Sequence, residues 1–352
     1  MTRRWMSLLA IFAAFALFAA ACGGDSSDGG DDGSDGEPST GPANIIRFTF
    51  APDPVWDFIN DSGLKEAMEE ESGVRILSQV TWDEFGIYAG GFADIVSVGS
   101  FEVPGLEKEA NQDSVIFGKY NIDRSVIAVP SSDTTSQTLE DLVGQRIAVW
   151  DSVSSTLIWG VIAKQLHDLD FRTGGGDFEL VQVDITNTGP VTASGDTEGG
   201  IVLPDFAVPQ LMNGELRVLY DGRTSAEIYV NDIANTPDHE GPMINIFLAR
   251  GDWYDEHVTE VGFFLELWQA GIDEWQANKA EIISSYPQHF AVSNDEELAF
   301  MQDWLQQHDW FVETVYIDDA WIEVESNLFD TMRESEFLGE DEEDPRFETP
   351  AP

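Results

Sequence analysis

Cysteine is all but missing from this chain. Cys22 is the only one in 352 residues, so no disulfide forms within the chain and no thiolate cluster can hold a metal. Histidine is scarce as well: His167, His239, His257, His289 and His308 are scattered, with no His-x-x-x-His pair. A Gly-x-Ser-x-Gly elbow and a Gly-x-x-x-x-Gly-Lys loop are also missing, which removes the common signatures of zinc hydrolases, serine hydrolases and nucleotide-cradling loops. Positive charge is the third shortage. Seventeen Lys and Arg face 66 Asp and Glu, for a formal net charge of −49, a field that repels phosphate backbones and excludes nucleic acid as a partner. Carboxylates are too numerous for a catalytic pair to stand out. No internal repeat and no β-rich patterning supports a surface adhesin.

What is there begins at the N-terminus. Arg3 and Arg4 precede an apolar stretch from Met6 to Ala21, then Cys22 follows three alanines. A positive start, about 16 apolar residues and small residues at the end read as an export signal, too short to span a roughly 30 Å hydrocarbon core comfortably. Ala19, Ala20, Ala21 and Cys22 resemble a bacterial lipoprotein signal, with Ala19 where that motif usually has Leu. The resemblance implies a signal peptide over 1–21 and lipidation of Cys22. Thr2, Arg3, Arg4 and Trp5 leave Sec and twin-arginine export both open. Residues 22–43 are almost wholly Gly, Ser, Asp, Glu, Pro and Thr, with little to bury against the entropy of ordering, and read as an acidic, disordered linker. The acidic stretch 334–352 is expected to be a disordered tail.

The whole chain has 42% hydrophobic residues, 22 Phe and 11 Trp, and most of them fall between the linker and the tail, enough apolar material for a large core. A segment of roughly 290 residues tends to divide into two lobes. Apolar, β-branched runs predict strands at 44–50, 74–80, 92–99, 125–130, 146–150, 179–183, 200–203 and 245–250. Helical spacing covers 55–72, 157–166, 258–278, 279–286 and 295–307, and 188–194 can start a helix. The alternation of strand and helix predicts parallel α/β sheets.

Four stretches together resemble the solute-binding proteins of ABC importers, in the branch of nitrate, taurine, alkanesulfonate and thiamine-precursor binders. They are Ala93 to Gly99 (ADIVSVG), Thr138 to Val149 (TLEDLVGQRIAV), Gly199 to Phe206 (GGIVLPDF), and Phe247 to Val261 leading into GIDEWQANKAEI. In the third stretch the family usually has an acidic residue and Ala after Gly, where this chain has Gly200 and Ile201. The resemblance implies an α/β fold of two doubly wound lobes joined by a two-segment hinge, like a type 2 periplasmic binding protein. Residues 44–128 and 241–333 would form lobe 1 and residues 129–240 lobe 2, with crossings near 125–130 and 229–245. It also implies a monomer outside the cytoplasm, anchored to the cell membrane through its lipid. The protein would hand a small nitrogen- or sulfur-containing solute to a permease with a cytoplasmic ATPase, using no cofactor, no metal and no catalysis. A secreted, lipid-anchored hydrolase and a stand-alone ligand sensor are the alternatives.

In open α/β sheets ligands sit beyond the carboxyl ends of the strands, which singles out four loops. Asp151 to Thr156 opens a helix, where free N–H groups and the hydroxyls of Ser152, Ser154, Ser155 and Thr156 suit either a ligand or an ordinary cap. Gly99, Ser100 and Phe101 follow a strand, as binding loop or plain turn. Asp53 and Trp56 follow the first strand, with a ring for stacking on a solute or for the core. Asp205 and Phe206 follow Pro204, as ligand contact or as helix cap and packed ring. Arg47, Lys119, Arg124 and Arg146 read as solvated counter-charges on so acidic a surface. Loops rich in Trp and acid suit a neutral aromatic or zwitterionic solute better than a free anion.

Overall fold

Ile46, Phe48 and Phe50 alternate inward along β1 (Asn44–Phe50), so the first strand buries one face from Ile46 onward. The computed structural model describes residues 44–340 and 342–350. The expected signal 1–21, Cys22 and the linker 22–43 lie outside the described residues. Gly63, at φ +80°, divides the expected 55–72 helix into α1 (Pro54–Asp61) and α2 (Leu64–Ser72). The chain continues through β2 (Val74–Val80), α3 (Glu84–Ala89), β3 (Ile95–Val98), α4 (Val103–Ala110) and β4 (Ser114–Ile122). It then crosses into β5 (Val126–Pro130), β6 (Arg146–Val149), α5 (Ser155–His167), β7 (Glu179–Gln182), α6 (Thr188–Ser194), β8 (Gly199–Val202), α7 (Val208–Met212), β9 (Leu216–Val218) and α8 (Ser225–Ile228). It returns through β10 (Met243–Arg250) to α9 (Gly251–Glu256), α10 (Val258–Ser285), α11 (Asp295–Gln307), α12 (Asp319–Glu334) and β11 (Arg346–Phe347).

Two sheets result. The first has the order β11-β4-β10-β3-β1-β2, with β1, β2 and β3 parallel and β10 antiparallel to both its neighbours. The second has the order β7-β6-β8-β5-β9, with β6, β7 and β8 parallel and β5 antiparallel to β8 and β9. Strand direction fixes which edges meet. The carboxyl ends of β1, β3 and β4 share one edge of the first sheet with the start of β10, and the carboxyl ends of β6 and β8 share an edge of the second with the start of β5. Both edges adjoin the crossing from β4 to β5, where Asp123 N donates to Pro242 O of the returning segment at 2.8 Å. Ser225 N donates to Ser125 O at 2.8 Å and the Trp159 indole to Ser125 Oγ at 3.0 Å, fastening the crossing to α8 and α5 of the second half.

Each sheet carries its own core. On the first, Phe48, Phe50, Trp56, Phe117, Tyr120, Phe247, Phe264 and Trp268 form a continuous aromatic cluster. On the second, Ile127, Val129, Ile147, Trp159 and Ile201 pack with Tyr220 and Tyr229. Two residues trespass: Val208 of α7 is buried in the first core and Phe101 in the second. The halves are therefore pressed together in this state.

Three expected boundaries change. The division at 128/129 falls inside β5, all of which belongs to the second sheet, so the first crossing is 123–125. α12 does not stay on lobe 1, because Leu328, Phe329 and Met332 pack into the second core. The stretch 334–352 is not simply a disordered tail: Leu338 is buried, Phe337 lies against Gly160, and β11 pairs with β4. Phe347 meets the edge of the Trp321 ring at 6.1 Å, an apolar anchor inside an acidic segment. Among the described residues no helix is long and apolar enough to cross a membrane.

Candidate functional site

Asp53 caps α1, with Oδ1 accepting from Val55 N at 2.8 Å and Trp56 N at 3.0 Å. Its Oδ2 accepts from Asn121 Nδ2 at 3.3 Å, and that amide also reaches Asn245 Oδ1 at 3.3 Å. Asn245 Nδ2 donates to Ser97 Oγ at 2.9 Å, and Ser97 shares a 2.6 Å bond with the Tyr120 hydroxyl. These groups come from the loop after β1 and from β3, β4 and β10. They make a polar floor along the carboxyl edge of the first sheet.

The opposite edge reaches across to it at several points. Glu102, just before α4, accepts from Gly99 N at 2.6 Å through Oε2 and from Ser154 N at 3.0 Å through Oε1. Ser154 sits at φ +51°, a conformation disfavoured for a residue with a Cβ. The Ser155 hydroxyl donates to Asp123 Oδ1 at 3.0 Å, which also takes Ser125 N at 2.9 Å. Arg124, at the crossing, holds Asp205 bidentately at 2.9 and 2.6 Å, with its guanidinium 4.5 Å from the centre of the Trp310 ring. At the rim Trp82 and Phe206 meet edge to face at 6.1 Å.

The floor and latches are dominated by carboxyl groups out of water. Burial pushes Glu102 up to about 8, and the charges of Asp151 and Glu84 push in the same direction. Burial likewise raises Glu84 to about 7 and Asp151 and Asp53 to about 6, and Asp123 is raised too. Glu107 and Glu325, elsewhere in the fold, are also raised by burial to about 7. A carboxyl whose folded value lies above its unfolded one keeps its proton longer in the fold, so stability falls as pH rises between the two values. His239, lowered to about 4, acts oppositely, but its effect is complete by about pH 6.5. Between pH 6.5 and 8.5 the four glutamates dominate. The melting temperature of the unliganded protein should therefore fall across that window by about 5 °C or more, and Glu102→Gln should flatten the slope, both read by calorimetry over a pH series.

Of the loops singled out from the sequence, the structure brings Asp53, Gly99, Ser154, Ser155, Asp205 and Phe206 to the two facing edges. Others are placed differently. Trp56 faces the core, 2% exposed and stacked on Trp268 at 5.4 Å, because the α1 turn after Asp53 rolls it inward. Phe101 is 1% exposed within the second core. Ser100 is fully buried and donates to Met243 O at 3.4 Å. The Thr156 hydroxyl is spent on Asp151 O at 3.0 Å, and Ser152 is exposed beside the loop. Arg124 is no solvated counter-charge, and Lys119 is buried against Glu240 and the Trp321 ring. Sequence reasoning missed Trp82, Glu84, Glu102, Asn121 and Asp123. Glu102 had a signal, three residues after Gly99 in a capping spacing. Asn121 and Asp123 had none, since β4 itself went unread.

A cavity of about 610 Å³ opens away from these loops, beside β4 and the returning segment, among Lys119, His239, Glu240, Asp309 and Trp321. None of the facing-edge residues lines it. Among the described residues no three His, Cys, Asp or Glu side chains converge to hold a metal ion.

No protein-family model matches the chain, and no curated protein matches it in sequence. Solved structures do. The periplasmic aliphatic sulphonate binding protein SsuA from Escherichia coli superposes with a TM-score of 0.66 at 15% identity, covering 88% of this chain and 93% of its own. The ligand-binding component of an ABC-type import system from Staphylococcus aureus, with zinc bound, gives 0.57 at 13% identity over 87% and 97%. A Candida albicans gene product described as having the generic periplasmic binding protein fold gives 0.59 at 13% identity over 84% and 92%. The chain has that fold, an α/β architecture with two sheets.

Proposed function

We propose that this protein is the extracytoplasmic solute-binding protein of an ABC importer, held to the membrane through a lipid on Cys22. It captures one small organic solute between its halves and passes it, unchanged, to a permease with a cytoplasmic ATPase. The observation that carries this reading is the opposition of two carboxyl edges across a crossing hydrogen-bonded to the returning chain. Among the contacts between the halves, Glu102 with Ser154 and Trp82 with Phe206 are of single residues that can part and re-form, and opening also withdraws Phe101 and Val208 from the opposite cores. Ligand contacts are proposed for Asp53, the Gly99 loop, the 151–155 loop, Asp205 and Phe206, with Trp82, Glu102 and Asn121 added from the geometry. The chain acts as a monomer, each half supplying part of the site.

The hydrolase alternative finds little support in the histidines. His167 bonds Tyr220, His289 bonds Asp57, His308 bonds Glu227, His257 bonds Trp253 O and His239 accepts from Gly241 N. None of these contacts pairs a histidine with a serine, threonine or cysteine nucleophile. The reading is tested by motion. Binding of a solute should shorten the distance between probes on the two sheets, while the solute is recovered chemically intact.

A further inference from the structure

Two places where an α/β site usually receives an anion are largely filled by the protein's own atoms. At the start of α5, Ser154 N donates to Glu102, Val153 N to Asp151 Oδ1, Thr156 N to Val153 O and Leu157 N to Ser154 O, which leaves Ser155 N as the one unengaged donor of that turn. At the start of α1, Val55 N and Trp56 N both donate to Asp53. The guanidinium at this junction, Arg124, is neutralised by two bonds to Asp205 and covered by Trp310. An entering sulfonate or nitrate would meet a single free N–H, that of Ser155, against the carboxyl groups of Asp53, Glu84, Glu102 and Asp151.

The acceptors, in contrast, are in excess. Asn121 is 4% exposed and its Oδ1 has no partner, although its Nδ2 is bonded to Asp53 and Asn245. Since both neighbours are acceptors, the amide cannot turn round. Asp123 is fully buried and its Oδ2 is also without a partner, while its Oδ1 is bonded to Ser125 and to Ser155 of the opposite edge. Orphaned buried acceptors cost free energy that a ligand's N–H groups recover. The rim presents the rings of Trp82 and Phe206, whose faces attract cations.

Resting on the solute-binding reading above, we infer that the solute is a small organic cation carrying N–H donors, a protonated amine or guanidine, held between the carboxylates of Asp53, Glu102 and Asp151. Asn121 Oδ1 and Asp123 Oδ2 receive its N–H groups. A bare metal ion is the wrong guest, because no three ligating side chains converge among the described residues. Closure places the positive group where Glu102 and Asp151 stabilise it from both halves, so the cation itself favours the closed state.

The experiment is titration calorimetry of the full chain at pH 8 with 1,4-diaminobutane, 4-guanidinobutylamine, ethanesulfonate and nitrate. At least one of the two cations should bind saturably with one-to-one stoichiometry, and neither anion should bind at 10-fold higher concentration. Glu102→Gln and Asp151→Asn should each weaken the cation by about 10-fold or more. Glu102→Gln should also melt no lower than the parent at pH 8, which separates lost recognition from lost folding. Saturable binding of ethanesulfonate or nitrate with no response to the cations overturns the inference and leaves the solute-binding reading standing. Failure of all four solutes to bind also overturns the inference, while the solute-binding reading stands or falls on the motion between the two sheets.

Discussion

Replacing Arg124 with Ala should cost about 3–5 kcal/mol of stability, because it strands Asp205, 3% exposed, as a buried charge without its partner. The same change removes a guanidinium from the face of Trp310 and takes from Asp123 the positive charge that favours its ionised form. On a chain of this size that is a fall in melting temperature of about 10 °C. Asp205→Leu combined with Arg124→Met should recover most of the loss, since removing both ends of a buried pair is far cheaper than removing one. A double-mutant cycle by chemical denaturation measures this directly. An additive result, with the pair of substitutions no better than the sum, would mean that Arg124 and Asp205 stabilise independently.

Trp268→Ala should be equally costly, about 3–5 kcal/mol. The indole is fully buried where α10 crosses the first sheet, touching Trp56 at 5.4 Å, Tyr120 at 4.6 Å, Phe247 at 5.1 Å and Phe48 at 6.0 Å between ring centres. Truncation opens a cavity that rigid aromatic neighbours cannot collapse into. Its Nε1 makes no hydrogen bond, so Trp268→Phe loses volume but no bond and should cost about 1–2 kcal/mol. The ratio between the two, read from urea midpoints, separates cavity formation from lost polar contacts. Comparable losses for Ala and Phe would contradict the packing account.

Much of the architecture was legible because β1, β2 and α11 follow simple periods with clear stops and caps. β1 alternates, β2 follows a glycine stop at Gly73, and α11 opens on Asn294, which caps it through Glu296 N and Glu297 N. The expected break between 278 and 279 marks a real departure: α10 runs on to Ser285, but Asn278 leaves helical geometry at φ −131°. β4 stayed hidden because its buried positions include Lys119 and Asn121, polar residues satisfied by Glu240, Asp53 and Asn245 rather than by water. α12 was missed for a similar reason, since Glu325 is 1% exposed on the face that also buries Trp321, Leu328 and Met332. Buried polar groups break the apolar pattern on which periodicity depends. The site suffers most from this, because a binding cleft is where a protein places polar side chains out of water.

The acidic composition takes on a second meaning at that cleft. Elsewhere the negative charge is spread over a solvated surface and partly matched by ion pairs such as Arg146 with Glu198 and Arg346 with Asp255. Between the halves, Glu84, Glu102, Asp151 and Asp53 are withdrawn from water and raised in pKa. Keeping several such groups together is costly in an empty site, and a cation offsets that cost only when both halves surround it.

Closure on a solute is the claim beneath all of this, and spin labels on the two sheets address it most directly. With Cys22→Ser as background, labels at Glu71→Cys on α2 and Glu179→Cys on β7 sit at exposed positions of opposite halves. The distance distribution should be broad without ligand. When the solute that binds in calorimetry saturates the protein, it should collapse to one shorter distance. A single distance that ignores the bound solute would contradict a hinged capture protein and leave a rigid body in its place.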